Sequence, residues 1–352
     1  FFQETPAFFA LSYITLYLDY HYPVGGTGKI SEKMTAFIEN HHGTIKTNTR
    51  IVTVDPDKKI VTDSTGGKYG YRKLIWAADQ KTLYRLLDVA SIKNLRIKSS
   101  VENRRTLIAN KTGNDSVFTL FLAVDMDKKY FSDKATEHFF YTPNRTGQTA
   151  AGSIPRQGDR DAIEKWLKDF FALTTYEISC PVMRDASLAP PGKTGLIVSV
   201  LFDYSLTKHT QDMGWYEEFK SYCEDCILDT LNASAYPGIK DAILKRFSST
   251  PLTMERYAGT TDGAIVGWAY TNRPMPAESR LPKILNAIKT PIPDVLQAGQ
   301  WTYSPAGLPV SILTGKIAAD RVEKELSRER KMRNTGDKQP CIPSPSSSST
   351  SP

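Results

Sequence analysis

Val295-Leu296-Gln297-Ala298-Gly299-Gln300-Trp301, then Gly307-Leu308-Pro309, then Ser311-Ile312-Leu313-Thr314-Gly315-Lys316-Ile317-Ala318-Ala319 is the stretch that decides the fold class. An apolar run ends in glycine, and an irregular loop follows. Pro309 then stands where the first turn of a helix tolerates a missing N–H, and the helix is expected from Pro309 to about Leu326. Gly315, Ala318 and Ala319 let that helix pack closely on a neighbour. Buried strand, turn and helix in this order form the unit of an α/β layer. The helix start also presents unpaired N–H groups and partial positive charge. Taken alone, the stretch is equally an ordinary strand-turn-helix connection.

Upstream lies a second buried run, Leu74-Ile75-Trp76-Ala77-Ala78, ahead of a short helix over 81–87. Farther back, Pro23-Val24-Gly25-Gly26-Thr27-Gly28 precedes a helix with Ile30, Met34, Phe37 and Ile38 on one face. That helix should end at His41-His42-Gly43, with Gly43 as the residue past the cap. β-like runs follow over 44–48, 51–55 and 59–63. The glycine cluster is not a Walker loop, because Pro23 and Ile30 occupy defining positions. Nor is it a G-x-G-x-x-G fingerprint, because Ser31 holds the third glycine position and no strand precedes Gly25. It is either a plain turn or a place where backbone comes close to a flat or anionic ligand.

Between 91 and 258, strands over 117–124, 137–141, 176–180 and 196–202 alternate with helices over 160–171 and 215–231. That order suggests an α+β unit around a mixed sheet. Thr250 to Tyr257 reads as extended, followed by the glycine-spaced Gly259, Gly263, Ala264, Gly267 and Trp268. The apolar run 8–18 reads as a helix, and the Pro/Ser-rich tail after Arg328 as disordered.

The chain has 352 residues, of which 40% are hydrophobic and 24% charged, so a packed core needs no metal or disulfide. The net charge of +7 comes without an arginine-rich or aromatic-interleaved motif, which argues against nucleic acid and suits an anionic lipid surface. The cysteines, Cys180, Cys223, Cys226 and Cys341, form no disulfide framework, so a reducing, cytoplasmic setting is expected. Cys223-x-x-Cys226 lies in a helical pattern with no second pair at zinc spacing, so no metal site is expected. No G-x-S-x-G elbow supports a hydrolase. No run of about 18 apolar residues could span a bilayer.

The order of the blocks is informative. Tyr22-Pro23-Val24-Gly25-Gly26-Thr27-Gly28 with Gly43-Thr44-Ile45-Lys46-Thr47-Asn48-Thr49-Arg50-Ile51 resembles a paired stretch of the phytoene desaturase and carotenoid isomerase family of flavoproteins. Leu74 to Asp79, Thr250-Pro251 through Trp268, and Ala298 through Ala319 are similar to that family's buried strand, its "TP…R-Y-x-G…GA-x-x-GW" block and its closing flavin motif. The resemblance covers about residues 8 to 326.

What the resemblance implies is an FAD-dependent oxidoreductase of the amine-oxidase-like superfamily, acting by hydride transfer to flavin on a hydrophobic, isoprenoid-like substrate beside a membrane surface. The implied fold is an incomplete, discontinuous α/β flavin-binding domain, with an α+β substrate domain inserted on a mixed sheet. The implied divisions are 1–22 (aromatic-rich, substrate domain), 23–90 (flavin-binding), 91–258 (substrate), 259–328 (flavin-binding) and 329–352 (tail). Gly25, Gly26, Thr27 and Gly28 would lie near the flavin, and Ile51, Val52 and Val54 beside the adenosine. Gly299, Gln300, Trp301, Gly307, Leu308, Pro309 and Ile312 would lie about the flavin ring. Gln300 stands where many relatives carry Asp. The family's G-x-G-x-x-G strand-turn-helix does not occur, so the sequence is expected to be a fragment that binds FAD poorly by itself. No catalytic acid or base is required, since the cofactor carries the chemistry. A non-catalytic interaction protein and a flavin amine oxidase with Trp268 and Trp301 flanking the ring remain alternatives.

Overall fold

The structure is a computed structural model that describes residues 21–336 together with Glu4 and Ala7. The helix expected over 8–18 lies outside the described residues.

The chain enters through α1 (Gly28–Asn40) and a three-stranded antiparallel meander, β1 (Ile51–Asp55), β2 (Ile60–Asp63) and β3 (Lys68–Gly70). β4 (Leu74–Trp76), α2 (Gln80–Leu86) and α3 (Leu95–Ala109) complete the first segment. Asp79 caps α2 by accepting the Thr82 N–H at 2.8 Å, and Asn94 caps α3. At the end of α1 the left-handed residue is His42, φ 62°, not Gly43. Gly43 is needed for a different reason: a β-carbon there would strike Ile38. No strand forms over 44–48.

The chain then builds β5 (Ser116–Val124), β6 (His138–Tyr141), α4 (Arg160–Leu173), β7 (Tyr176–Ser179), β8 (Thr194–Phe202), α5 (Tyr204–Asp212), α6 (Tyr216–Ala233) and β9 (Ile243–Ser249). The five strands form one sheet in the order β6-β7-β8-β5-β9, and every pairing is antiparallel, so the sheet is not mixed. The reason lies in alternation: along β8, Thr194, Leu196, Val198, Val200 and Phe202 are buried while the residues between them are half-buried. The buried side chains meet Trp166, Phe170 and Phe171 of α4 and Phe219, Ile227 and Leu231 of α6 in the larger core. Each such side chain contributes about 1.5–3 kcal/mol by leaving water.

The segment expected to stay extended through Tyr257 instead turns helical as α7 (Pro251–Ala258). Thr250 caps it reciprocally with Thr253, and Pro251 takes the first position. The chain returns through β10 (Val295–Gln297) to α8 (Leu308–Gly336). α8 runs through 329–336, which the sequence pattern assigns to the tail, while 337–352 lie outside the described residues. β10 pairs in parallel with β4, Val295 opposite Leu74 and Gln297 opposite Trp76. Lys73, beside β4, anchors α8 by donating to Asp294 at 2.5 Å and Glu325 at 2.7 Å.

Candidate functional site

Three blocks far apart in sequence share one core: Val54 from β1, Ala264 and Trp268 from the glycine-spaced loop, and Val295 and Trp301 around β10. Asp79, between β4 and α2, ties the glycine-spaced loop to α2, one oxygen capping α2 and the other accepting the Thr261 N–H at 2.9 Å. Ala298 donates to the Trp76 carbonyl at 2.9 Å, which extends the β4–β10 register by one residue. At the next position Gly299 takes φ +91°, and its N–H donates to Thr314 Oγ1 of α8 at 3.0 Å. Strand end, glycine and helix start are thereby locked together.

The indole N–H of Trp268 donates to the Trp301 carbonyl at 3.1 Å, and the two rings meet edge to face with centroids 4.9 Å apart. Both indoles are buried, so Trp301 offers a core side chain rather than a surface for a ligand. Val54 is likewise wholly buried, whereas Val52 on the same strand points outward at 40% exposure and Ile51 is half-buried. Gln300 is half-buried and directs its amide toward the Ala264 carbonyl at 3.5 Å.

Gly307 and Pro309 bracket the start of α8, where Leu308 and Ile312 are 67% and 64% exposed. Two large aliphatic side chains in water beside the open N–H groups of a long helix make an apolar shelf with positive potential. A planar group that carries or gains negative charge at one edge would suit such a shelf.

The glycine turn packs against the five-stranded sheet's domain. Gly25 and Gly26 take φ +88° and +92°, and the Gly25 N–H donates to Asp185 Oδ2 at 2.7 Å. Gly26, Thr27 and Gly28 line a cavity of about 460 Å³ over the outer face of the sheet. Phe121 and Phe247, stacked at 4.8 Å, belong to its wall together with Leu188 and Ile197. Sequence reasoning missed this sheet face. The signal was the period-two spacing of Phe121 and Ala123 outward from β5.

Gly299, just after β10, and Gly307, ahead of α8, leave backbone uncovered by a side chain on either side of the turn that leads to the shelf. A pyrophosphate cradle of strand, glycine turn and helix does not occur among the described residues. No cluster of metal-ligating side chains occurs among them either, and no described helix is long and apolar enough to cross a membrane.

No protein-family model matches the chain. Two curated relatives, the chloroplastic prolycopene isomerases 1 and 2 of an Oncidium hybrid cultivar, are each 23% identical over 323 residues, covering 88% of this chain. The match covers 47% of each isomerase, so the chain spans about half the length of the curated relatives it matches. Among solved structures, an oxidoreductase from Methanosarcina mazei superimposes with a TM-score of 0.51 at 13% identity, covering 86% of this chain and 55% of that one. A putrescine oxidase redesigned in cofactor binding gives 0.51 at 11% identity, covering 86% of this chain and 53% of that one. With the geometry above, these likenesses establish the architecture, a discontinuous mixed α/β fold with an inserted β-sheet region, as in those two solved proteins.

Proposed function

We propose that the chain is part of an FAD-dependent oxidoreductase that acts on a hydrophobic, isoprenoid-like small molecule. The observation that carries the reading is the convergence of the 74–79, 261–268 and 295–308 blocks behind one exposed apolar shelf at the start of α8. Gly299, Gly307, Leu308, Pro309 and Ile312 would hold the ring end of FAD. Bound there, FAD supplies a hydride acceptor for an activated C–H bond. The amino end of α8 would stabilise negative charge at the shelf, and Leu308 and Ile312 would exclude water from it. The cavity walled by Phe121 and Phe247 and edged by Gly26–Gly28 supports an apolar substrate. The 23% likeness to prolycopene isomerases agrees with a polyene or its relatives as the class. The net charge of +7 would bring the protein to anionic membranes, where such molecules reside.

An amine oxidase is the weaker reading. Its aromatic walls would have to be Trp268 and Trp301, and these are only 1% and 3% exposed, turned edge to face into the core.

The test is a flavin titration of the protein produced from its whole gene. Yellow protein is expected, with a Leu308→Asp variant whose flavin is harder to reduce. An unchanged potential in that variant removes the shelf from the site, and colourless protein on FAD addition favours a non-catalytic binding role.

A further inference from the structure

Apart from the shelf and the apolar cavity, a half-buried cation that faces neutral partners lines a cavity between α3 and the 276–291 segment. Arg104 of α3 is half-buried, and its guanidinium donates to Gln80 Oε1 at 2.8 Å and to the Pro276 carbonyl. The Tyr84 hydroxyl also meets it. Among the described residues no carboxylate forms an ion pair with Arg104, and burial pulls the guanidinium below its ordinary value. Taking a guanidinium out of water without an anion is unfavourable.

Arg104 lines a cavity of about 410 Å³ between α3 and the 276–291 segment. Lys289 lines it too, its ammonium donating to Asn286 Oδ1 at 2.8 Å. The one acid in the lining is already committed. Glu278 accepts the Arg280 side chain and the Ser279 and Arg280 N–H groups, each at 3.0–3.1 Å, and Arg280 holds it down at about 2. The lining therefore carries excess positive charge, with Leu107, Pro276 and Pro291 as apolar surface beside it.

We propose that this cavity binds a phosphate-bearing small molecule, with Arg104 and Lys289 holding the oxyanion and Leu107, Pro276 and Pro291 seating its organic body. Two cations match a phosphate dianion better than a single carboxylate, and the planar guanidinium fork suits its oxygens. The cavity is larger than inorganic phosphate requires, which leaves space for the body. Neither Arg104 nor Lys289 takes part in the flavin reading, so the inference stands or falls separately.

Calorimetric titration of the full chain with phenyl phosphate and with inorganic phosphate, at low salt, decides it. Phenyl phosphate should bind more tightly than inorganic phosphate. Lys289→Glu should weaken it by about tenfold or more, and Arg104→Gln should remove it. Lys289 is exposed, so its variant keeps the fold, as circular dichroism should verify, even if Arg104→Gln does not. Absence of binding in the wild type, or equal affinity in Lys289→Glu, overturns the proposal. So does capture on phosphatidic acid vesicles that phenyl phosphate fails to compete, which would place the phosphate in a lipid surface.

Discussion

The α-carbon of Gly267 packs directly against the carbonyl of Gln300, with no room between them for a β-carbon. Gly267 also holds φ +82°, where side chains other than glycine's are strained. The contact fastens the glycine-spaced loop to the turn after β10. Gly267→Ala should therefore lose about 2 kcal/mol or more, from backbone strain and displacement of the Gln300 peptide together. Urea denaturation measures this, and a loss within about 0.5 kcal/mol would mean that the two loops move independently.

Trp268→Phe keeps most of the ring and removes the indole N–H that reaches the Trp301 carbonyl. The orphaned carbonyl and the small void should together cost about 1–3 kcal/mol. For the rings themselves, a double-mutant cycle of Trp268→Leu with Trp301→Leu should show a coupling of roughly 0.5–1.5 kcal/mol from the edge-to-face pair. Strict additivity would count against that contact.

Asp63 closes the β2–β3 turn by accepting from the Thr65 hydroxyl and N–H, the Gly67 N–H and the Tyr69 hydroxyl, all at 2.7–2.9 Å. The Thr65 hydroxyl leads in holding the carboxyl at about 2, below the roughly 3.9 of an unfolded aspartate. Its stabilisation is complete above the unfolded value and is lost as pH falls from about 4 to about 2. Wild type should lose more stability than Asp63→Asn across that window. Parallel stability–pH curves for the two proteins would contradict the assignment.

Lys73 is half-buried beside Asp294 and Glu325, with Glu329 at 3.4 Å. Burial pulls the ammonium down, but its hydrogen bonds to Asp294 and Glu325 outweigh that and hold it above its ordinary value. Lys73→Met would leave the acids without this cation, costing about 2–4 kcal/mol because they are partly solvated. Hydrogen exchange should show α8 losing protection before the five-stranded sheet does. Simultaneous loss would indicate that Lys73 does not anchor the helix selectively.

Phe247→Lys places a charge in the wall of the apolar cavity at a side chain already 55% exposed. Losing the stack on Phe121 should cost about 1 kcal/mol, while uptake of a polyene fluorophore falls at least tenfold. Unchanged uptake would move the substrate away from this sheet face.

Much of the fold is legible in the sequence because burial imposes periodicity. β10 reads as an apolar run ending in a small residue, and α4 and α6 read from their apolar stripes. β4 forms where its apolar run lies but is not buried as expected, since Ile75, Ala77 and Ala78 are exposed on an edge that β10 covers from one side only. α3 shows no apolar stripe, because only Val101 and Ile108 of its fifteen residues are buried, and Asn94 at its cap is the signal that remains. The residues of α7 read as extended although Thr250-Pro251 is a helix start, because Leu252, Met254 and Tyr257 give no helical stripe. The site was legible only as an order of blocks. The meeting of Gly267 with Gln300 and of Asp79 with Thr261 joins segments whose sequences carry no mark of each other.

The parallel pairing of β4 with β10 joins strands more than two hundred residues apart. Closing so long a loop is entropically demanding and raises the contact order, which slows folding. During synthesis, the edge of Leu74–Trp76 that β10 covers must wait until residue 297 has left the ribosome. Early fragments should therefore be the aggregation-prone ones, and chaperone dependence should fall sharply once residue 297 is free to add its strand.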